Sequence, residues 1–319
     1  FLSLAAALAE SEAAAQVFIG VNALDCSGYP DCRPEFLAAF QAALERGTRA
    51  GAEGRALRLR APLAALRKAE IFRLGAELGV DVAIGPFCRV GPHARLGDRV
   101  ALRSHVSVDG HATLGAGCEV WPFASVGGKT QDLKYKGGAP RLAVGDNTVI
   151  RECATLNCAT FDGGETRVGS KCLIMAYCHV AHDCLVGDRV IMANNATLAG
   201  HVIVEDDAII GGLTGIHQFV RIGRMSILGG TTKAVKDVPP FMMADGDPLK
   251  VYGPNKVGLE RHGVSAEAQQ ALKTAYKIVF RMDLTTDKAL ERIAAELPDL
   301  PEIRQFADFI RTSERGISR

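Results

Sequence analysis

The 319-residue chain lacks several features that would narrow its function at once. It has no charge imbalance: 37 Lys and Arg stand against 36 Asp and Glu, a formal net charge of +1. Nothing therefore draws the whole molecule to nucleic acid or to an anionic membrane, and any charged partner must meet a local patch. Nine cysteines are present but no CxxC pair, which argues against a zinc ribbon. In a chain of this length it also argues against a disulfide framework. Reduced thiols in a cytoplasmic protein are expected. No apolar run is long enough to span a bilayer. The opening "FLSLAAALAESEAAAQVFIG" has no initiator Met and no basic segment, and Glu10 and Glu12 interrupt it. It reads as a helix and not as an export signal.

What the chain does have is a period of six. From Ile84, steps of six reach Val90, Leu96, Leu102, Val108, Leu114, Val120 and Val126, then Val144 to Leu156, then Val168 to Ala234. Of 26 such positions, 22 are Ile, Leu, Val or Met. Of the four exceptions, Ala234 ends the run, and Asp132, Gly138 and Asp162 fall in "GGKTQDLKYKGGAPR" and "FDGGET", two loops leaving the repeat. A hexapeptide period implies three short strands per coil of about 18 residues, wound as a parallel β-helix with the aliphatic residues stacked inside. Cys88, Cys118, Cys172, Cys178 and Cys184 each stand two residues before a register position, where a small side chain suits a narrow interior; core thiols are expected. Glycine often follows the aliphatic position, as at Gly169 and Gly187, which suits a corner needing open backbone space.

The repeat also organises the histidines of "HVAHDCLVG" and "GIHQFV". Counted modulo 18, His182, His201 and His217 fall at adjacent phases on three successive coils, about 4.8 Å apart. Asp183 shares the phase of His201, and His179 lies around a corner. A polar ladder on the outer face is one reading; a column holding three of the eight histidines argues against it. Zinc is another, but parallel rungs point the same way and converge poorly on an ion needing ligands at about 2.0–2.1 Å. The third is acid–base chemistry: a histidine takes a hydroxyl proton, Asp183 holds its tautomer, and a backbone N–H such as that of Gly200 stabilises an oxyanion. That set suits acyl transfer from a thioester.

The segments "IGPFCRVGPHARLGD", "QDLKYKG", "HVAHDCLVGDRVIMANNATLAGHVIVEDDAIIGG", "GIHQFVRIG" and "KDVPPFMMADGDP" resemble the UDP-N-acetylglucosamine O-acyltransferases of lipid A biosynthesis, over residues 82–319. The resemblance implies a mainly β protein: a left-handed parallel β-helix (82–240) with a C-terminal α-helical domain (241–319). It implies a homotrimer with active sites between subunits, needing no cofactor and no metal. The implied reaction moves an (R)-3-hydroxyacyl chain from acyl carrier protein to the 3-hydroxyl of UDP-N-acetylglucosamine, the first step of lipid A biosynthesis. His182 matches the general base, Asp183 its partner and Gly200 the oxyanion donor. His179, His201, His217 and Gln218 match the cleft lining, Asp132 and Lys134 the nucleotide loop, and Asn255 and Arg261 further substrate contacts. Gly230 matches the position limiting acyl length, where glycine leaves room for a longer chain. The chain departs from the family at His262, where a second basic residue often follows Arg261, and in the apparent loss of the first coils. A non-catalytic scaffold, a zinc hydratase of the same architecture and a related N-acyltransferase are the alternatives; "QDLKYKG" favours the O-acyltransferase.

Beyond Pro240 the period stops. From Ser265, a residue suited to cap a helix, "AEAQQALKTAYKIVFRM" predicts an amphipathic helix. Its Lys273, Lys277 and Arg281 share one face, either simply solvated or steering an acidic carrier protein. Residues 1–81 lack the period. There "VFIGVNALDCSGYPDCRPEF" and "LRAPLAALRKAEIFRLGAELGVD" resemble an internal slice of 7-cyano-7-deazaguanine synthase, implying a partial α/β fragment with exposed apolar edges. The SGG-x-DS phosphate loop is missing, and "VAIGPFC" replaces the zinc cysteines expected after "LGVD". Cys26 and Cys32 do not substitute for them, so no ligase chemistry is expected.

Overall fold

The computed structural model describes residues 2–21, 30–62, 64 and 79–319, and the chain divides into two compact units, residues 1–77 and 78–319. Cys26 lies outside the described residues. In the first unit, parallel strands Gln16–Phe18 and Arg58–Arg60 pair beside helices Leu2–Ser11, Pro34–Gly47 and Arg49–Ala52. Their core is small: Ala6, Ala9, Leu44 and Leu57. Leu4, Leu8 and Phe18 remain 64–75% exposed, as a slice of an α/β sheet without its neighbours requires.

In the second unit the period of six becomes a left-handed parallel β-helix of three sheets, with eight, seven and ten strands, two of the ten lying beyond the period. Most strands are two residues long. Each is held by its neighbours on the coils before and after: Val180 pairs in parallel with Leu156 and with Leu198. The register residues from Leu96 to Ala234, loops apart, are all buried. Each contributes about 1.5–3 kcal/mol of transfer free energy. Ile84 is 45% exposed and Val90 partly so, because no described strand lies beneath the first coil.

Four of the five predicted core cysteines are fully buried: Cys118, Cys172, Cys178 and Cys184. Burial raises their thiol pKa values, to about 12 for Cys184, so they act as inert space-fillers. Cys88, in the uncovered first coil, is only half-buried. The corner glycines serve a different purpose from a left-handed turn. The left-handed residue comes two positions later, as at Phe87, Asn147 and Arg189 (φ 60°, 55° and 56°). What the glycine permits is close approach: a Cβ at Gly169 would lie 2.4 Å from the carbonyl oxygen of Gly187 on the next coil.

After Pro240 the strand Met242–Asp245 extends the ten-stranded sheet, and Lys250–Pro254 returns antiparallel to it. Helices Lys256–Arg261, Ala266–Arg281, Thr286–Glu296 and Pro301–Arg311 follow. Ser265 caps the second of them, accepting the N–H of Ala268 at 3.1 Å. One hydrophobic core runs from Ala94 to Ile317, through coils and helices alike. No helix among the described residues is long and apolar enough to cross a membrane.

The coil contact yields a paired test. Gly169→Ala should cost about 1–3 kcal/mol by overpacking and lower the thermal midpoint. Gly215→Ala, whose Cβ would meet nothing within 4 Å, should leave the midpoint within a degree or two. Equal midpoints for the two variants would refute the close-approach account.

Candidate active site

His182 and Asp183 occupy the corner that follows the strand His179–Val180. Asp183 adopts the left-handed conformation of that corner (φ 58°), which short polar residues tolerate. This turns its carboxylate back toward its own neighbour. Asp183 Oδ2 lies 2.8 Å from His182 Nδ1. The backbone N–H of Thr160 donates to both carboxylate oxygens at 3.3 Å, and the Asp183 N–H donates to Thr166 Oγ1 at 2.8 Å. An ionised Asp183 accepts the proton on Nδ1, so the neutral imidazole keeps its lone pair on Nε2. His182 is 7% exposed. Its Nε2 faces Asp132 Oδ2 at 3.9 Å, so the loop carrying Asp132 folds back over the ring.

One coil on, His201 sets its ring edge-to-face against His182, with centroids 5.2 Å apart. Its other side stacks on Phe219 at 4.8 Å, and its Nε2 lies 3.7 Å from Asp183 Oδ2. Gly200 passes directly beneath the His182 ring: a Cβ there would come within 2.3 Å of His182 Cε1 and 2.5 Å of Nε2. Among the described residues no acceptor takes the Gly200 N–H.

The remaining predicted residues separate into groups. His179 points from the adjoining sheet and meets Thr155 Oγ1 at 2.7 Å; burial holds its pKa below the ordinary 6.5 and keeps it neutral at pH 7. Lys134 is exposed, and its backbone N–H donates to Asp132 Oδ1 at 2.9 Å. His217 and Gln218 are exposed one coil beyond His201. There His217 Nδ1 lies 3.4 Å from Arg315 of the C-terminal tail, a neighbour with no sequence signal. Gly230 precedes the strand Lys233–Ala234, three strands from His179–Val180 in the same eight-stranded sheet. Only Gly212 backbone atoms lie within 4 Å of a Cβ built there, the nearer at 3.2 Å.

Two observations bear on the expectations. Asn255 is 3% exposed. Its Oδ1 accepts the Gly258 N–H at 3.0 Å and its Nδ2 donates to the Met225 carbonyl at 2.8 Å. It caps a helix and ties that helix to the last coils. Arg261 is exposed on that helix, while His262 turns inward to Asp207 at 3.2 Å. The second observation concerns convergence. His182, Asp183 and His201 offer ligand atoms within 4.8 Å of one another, closer than parallel rungs suggest, because the left-handed corner swings Asp183 across.

The comparisons with known proteins follow the same division of the chain. A family model described as "Udp N-acetylglucosamine O-acyltransferase; Domain 2" matches residues 237–318. One for the bacterial transferase hexapeptide matches residues 165–200. The model "Queuosine biosynthesis protein QueC" matches residues 1–94. The acyl-[acyl-carrier-protein]–UDP-N-acetylglucosamine O-acyltransferase of Thiobacillus denitrificans is 51% identical over 246 residues, covering 77% of this chain and 95% of that protein. That of Stutzerimonas stutzeri is 48% identical, covering 76% and 95%. Among solved structures, LpxA from Acinetobacter baumannii superposes with a TM-score of 0.74 at 44% identity, over 76% of this chain and 95% of that one. The Bacteroides fragilis UDP-N-acetylglucosamine acyltransferase gives 0.74 at 37%.

The neutral His179 has a pH consequence. Its folded pKa lies below 6.5, so the unfolded chain binds its proton first as pH falls. Stability is therefore lost from about pH 6.5 downward. Between pH 7 and 5, His179→Gln should lose less unfolding free energy than the wild type in denaturant titrations; an equal loss would remove this assignment.

Proposed function

Because the chain belongs to the acyl-[acyl-carrier-protein]–UDP-N-acetylglucosamine O-acyltransferase family, we propose that His182 is its general base, Asp183 the partner of that base and Gly200 N–H its oxyanion donor. The chain is an acyltransferase that moves an acyl group from acyl carrier protein to UDP-N-acetylglucosamine, in lipid A biosynthesis. The observation that carries the residue roles is the 2.8 Å bond between His182 Nδ1 and Asp183. It leaves the lone pair on the buried Nε2, close to Gly200, whose N–H has no acceptor among the described residues.

The steps follow from that geometry. Nε2 takes the proton of the sugar 3-hydroxyl as its oxygen bonds to the thioester carbonyl carbon. The carbonyl electron pair moves onto oxygen, where the Gly200 N–H meets the charge. The intermediate then collapses, the C–S bond breaks, and the imidazolium returns its proton to the departing carrier thiolate. Between these events Asp183, accepting the Nδ1 proton, offsets the positive ring. Asp132 and Lys134, His201, His217 and Gln218, and the exposed Arg261 are the substrate contacts in this reading. Gly230 leaves space for the acyl chain at the far edge of the same sheet.

A homotrimer with the cleft between subunits belongs to the same proposal. Phe123, Tyr177 and Leu213 occupy one corner position on different coils, all left-handed and all 61–64% exposed. Leu133, in the loop carrying Asp132, is fully exposed. An apolar edge and an apolar loop tip of this kind suit burial against a second copy. The exposed row Lys273, Lys277 and Arg281 suits the acidic carrier protein. We place the reaction in the cytoplasm, where both substrates are made. No ligase chemistry is assigned to residues 1–81, since the cysteines for zinc are replaced after Asp81.

Two substitutions test the roles. His182→Ala should lower kcat by about 10²–10⁴-fold while native mass and thermal midpoint hold; near-normal turnover would end the assignment. Gly200→Ala places its Cβ in the His182 ring, so kcat should fall by about 10²-fold with little change in KM. Full activity in that variant would show that the ring does not work where it lies.

A further inference from the structure

Two loops leave the coils near the base, one carrying Asp132 and the other running through Thr160 and Phe161. Between them lies a pair of buried hydroxyls. Thr130 and Thr160 are 6% and 1% exposed, and their Oγ1 atoms are 3.2 Å apart. Burying two hydroxyls costs free energy unless each finds a partner, so this bond specifies how the loops dock. Thr130 Oγ1 also accepts the backbone N–H of Asp132 at 3.1 Å. The Thr160 N–H holds both oxygens of Asp183, and Asp183 holds His182. Asp132 then returns to His182 Nε2 at 3.9 Å. The contacts close a ring: Asp132, Thr130, Thr160, Asp183, His182 and back to Asp132.

Resting on the acyltransferase reading above, we propose that Thr130 and Thr160 are positioning residues that lock the Asp132 loop to the His182–Asp183 pair. The hydroxyl bond fixes the peptide of Thr160, and that peptide fixes the carboxylate that sets the tautomer of the base. Neither threonine touches a reacting atom. Their effect is to make placement of the loop and alignment of the base a single event, so that a sugar nucleotide held by the loop meets a base already in register. A buried ring of this kind is cooperative, so its members do not contribute independently.

The test uses the full-length chain with Thr130→Val, Thr160→Val, the double variant and both serine variants. Valine keeps the shape and removes the hydroxyl; serine keeps the hydroxyl. Each valine variant should lose kcat by about 10-fold or more with KM for the sugar nucleotide within about 2-fold of wild type. Serine should restore most of kcat, and the double variant should be little worse than either single one. Unchanged kcat, additive losses or failure of serine to rescue would overturn the proposal, and His182→Ala in the same assay shows whether the base assignment stands apart from it. Hydrogen exchange by mass spectrometry supplies a readout independent of turnover. Thr160→Val should raise exchange in residues 129–138 as well as in 158–164. A rise confined to 158–164 would mean that the loops are not locked together, whatever the enzyme's activity.

Discussion

Everything in the second unit depends on the backbone bonds between successive coils. A strand of two residues has almost no stability of its own. It persists because its N–H and C=O groups are completed by the coils on either side, and because the stacked aliphatic residues are dry. The spacing between coils is that of neighbouring strands, which leaves no room for a Cβ where the chain passes close to the next coil, as at Gly169. The same spacing makes the surface regular. Residues 18 apart in sequence become neighbours, so Asp183, His201 and Phe219 share one edge and their side chains meet.

A regular surface alone gives a ladder, and the chemistry comes from its interruptions. At the corner after Val180 the left-handed Asp183 swings its carboxylate onto His182. The two loops then bring Asp132 over one ring nitrogen and the Thr160 peptide over the carboxylate. The His182 ring is enclosed by its own coil, the next coil and two excursions. Each supplies one kind of group: a tautomer-setting acid, a bare glycine N–H, a second carboxylate and a buried hydroxyl pair.

The two ends of the chain behave differently for a physical reason. The C-terminal helices share the core of the coils through Leu259, Leu272 and Ile293. Asn255 and His262 add polar ties, to Met225 and to Asp207. The N-terminal unit has a core of four small or medium residues and exposed leucines, the condition of a sheet fragment without the strands that would flank it.

The sequence by itself determined the β-helix, the extent of the repeat, the core positions and the column holding His182 and His201, because a strict period leaves one way to bury its aliphatic residues. It also exposed the seam between two unlike segments near residue 80, where the period begins. Only the tertiary structure decided which nitrogen of His182 faces Asp183 and how near Gly200 lies to the ring. It also decided that Asn255 is a cap and that Thr130 and Thr160 meet between the loops. The corner dihedrals set the first two, and the loops meet through contacts between residues 23 to 50 apart that carry no period. A repeat predicts where a rung lies; it does not say which way an irregular loop turns to meet it.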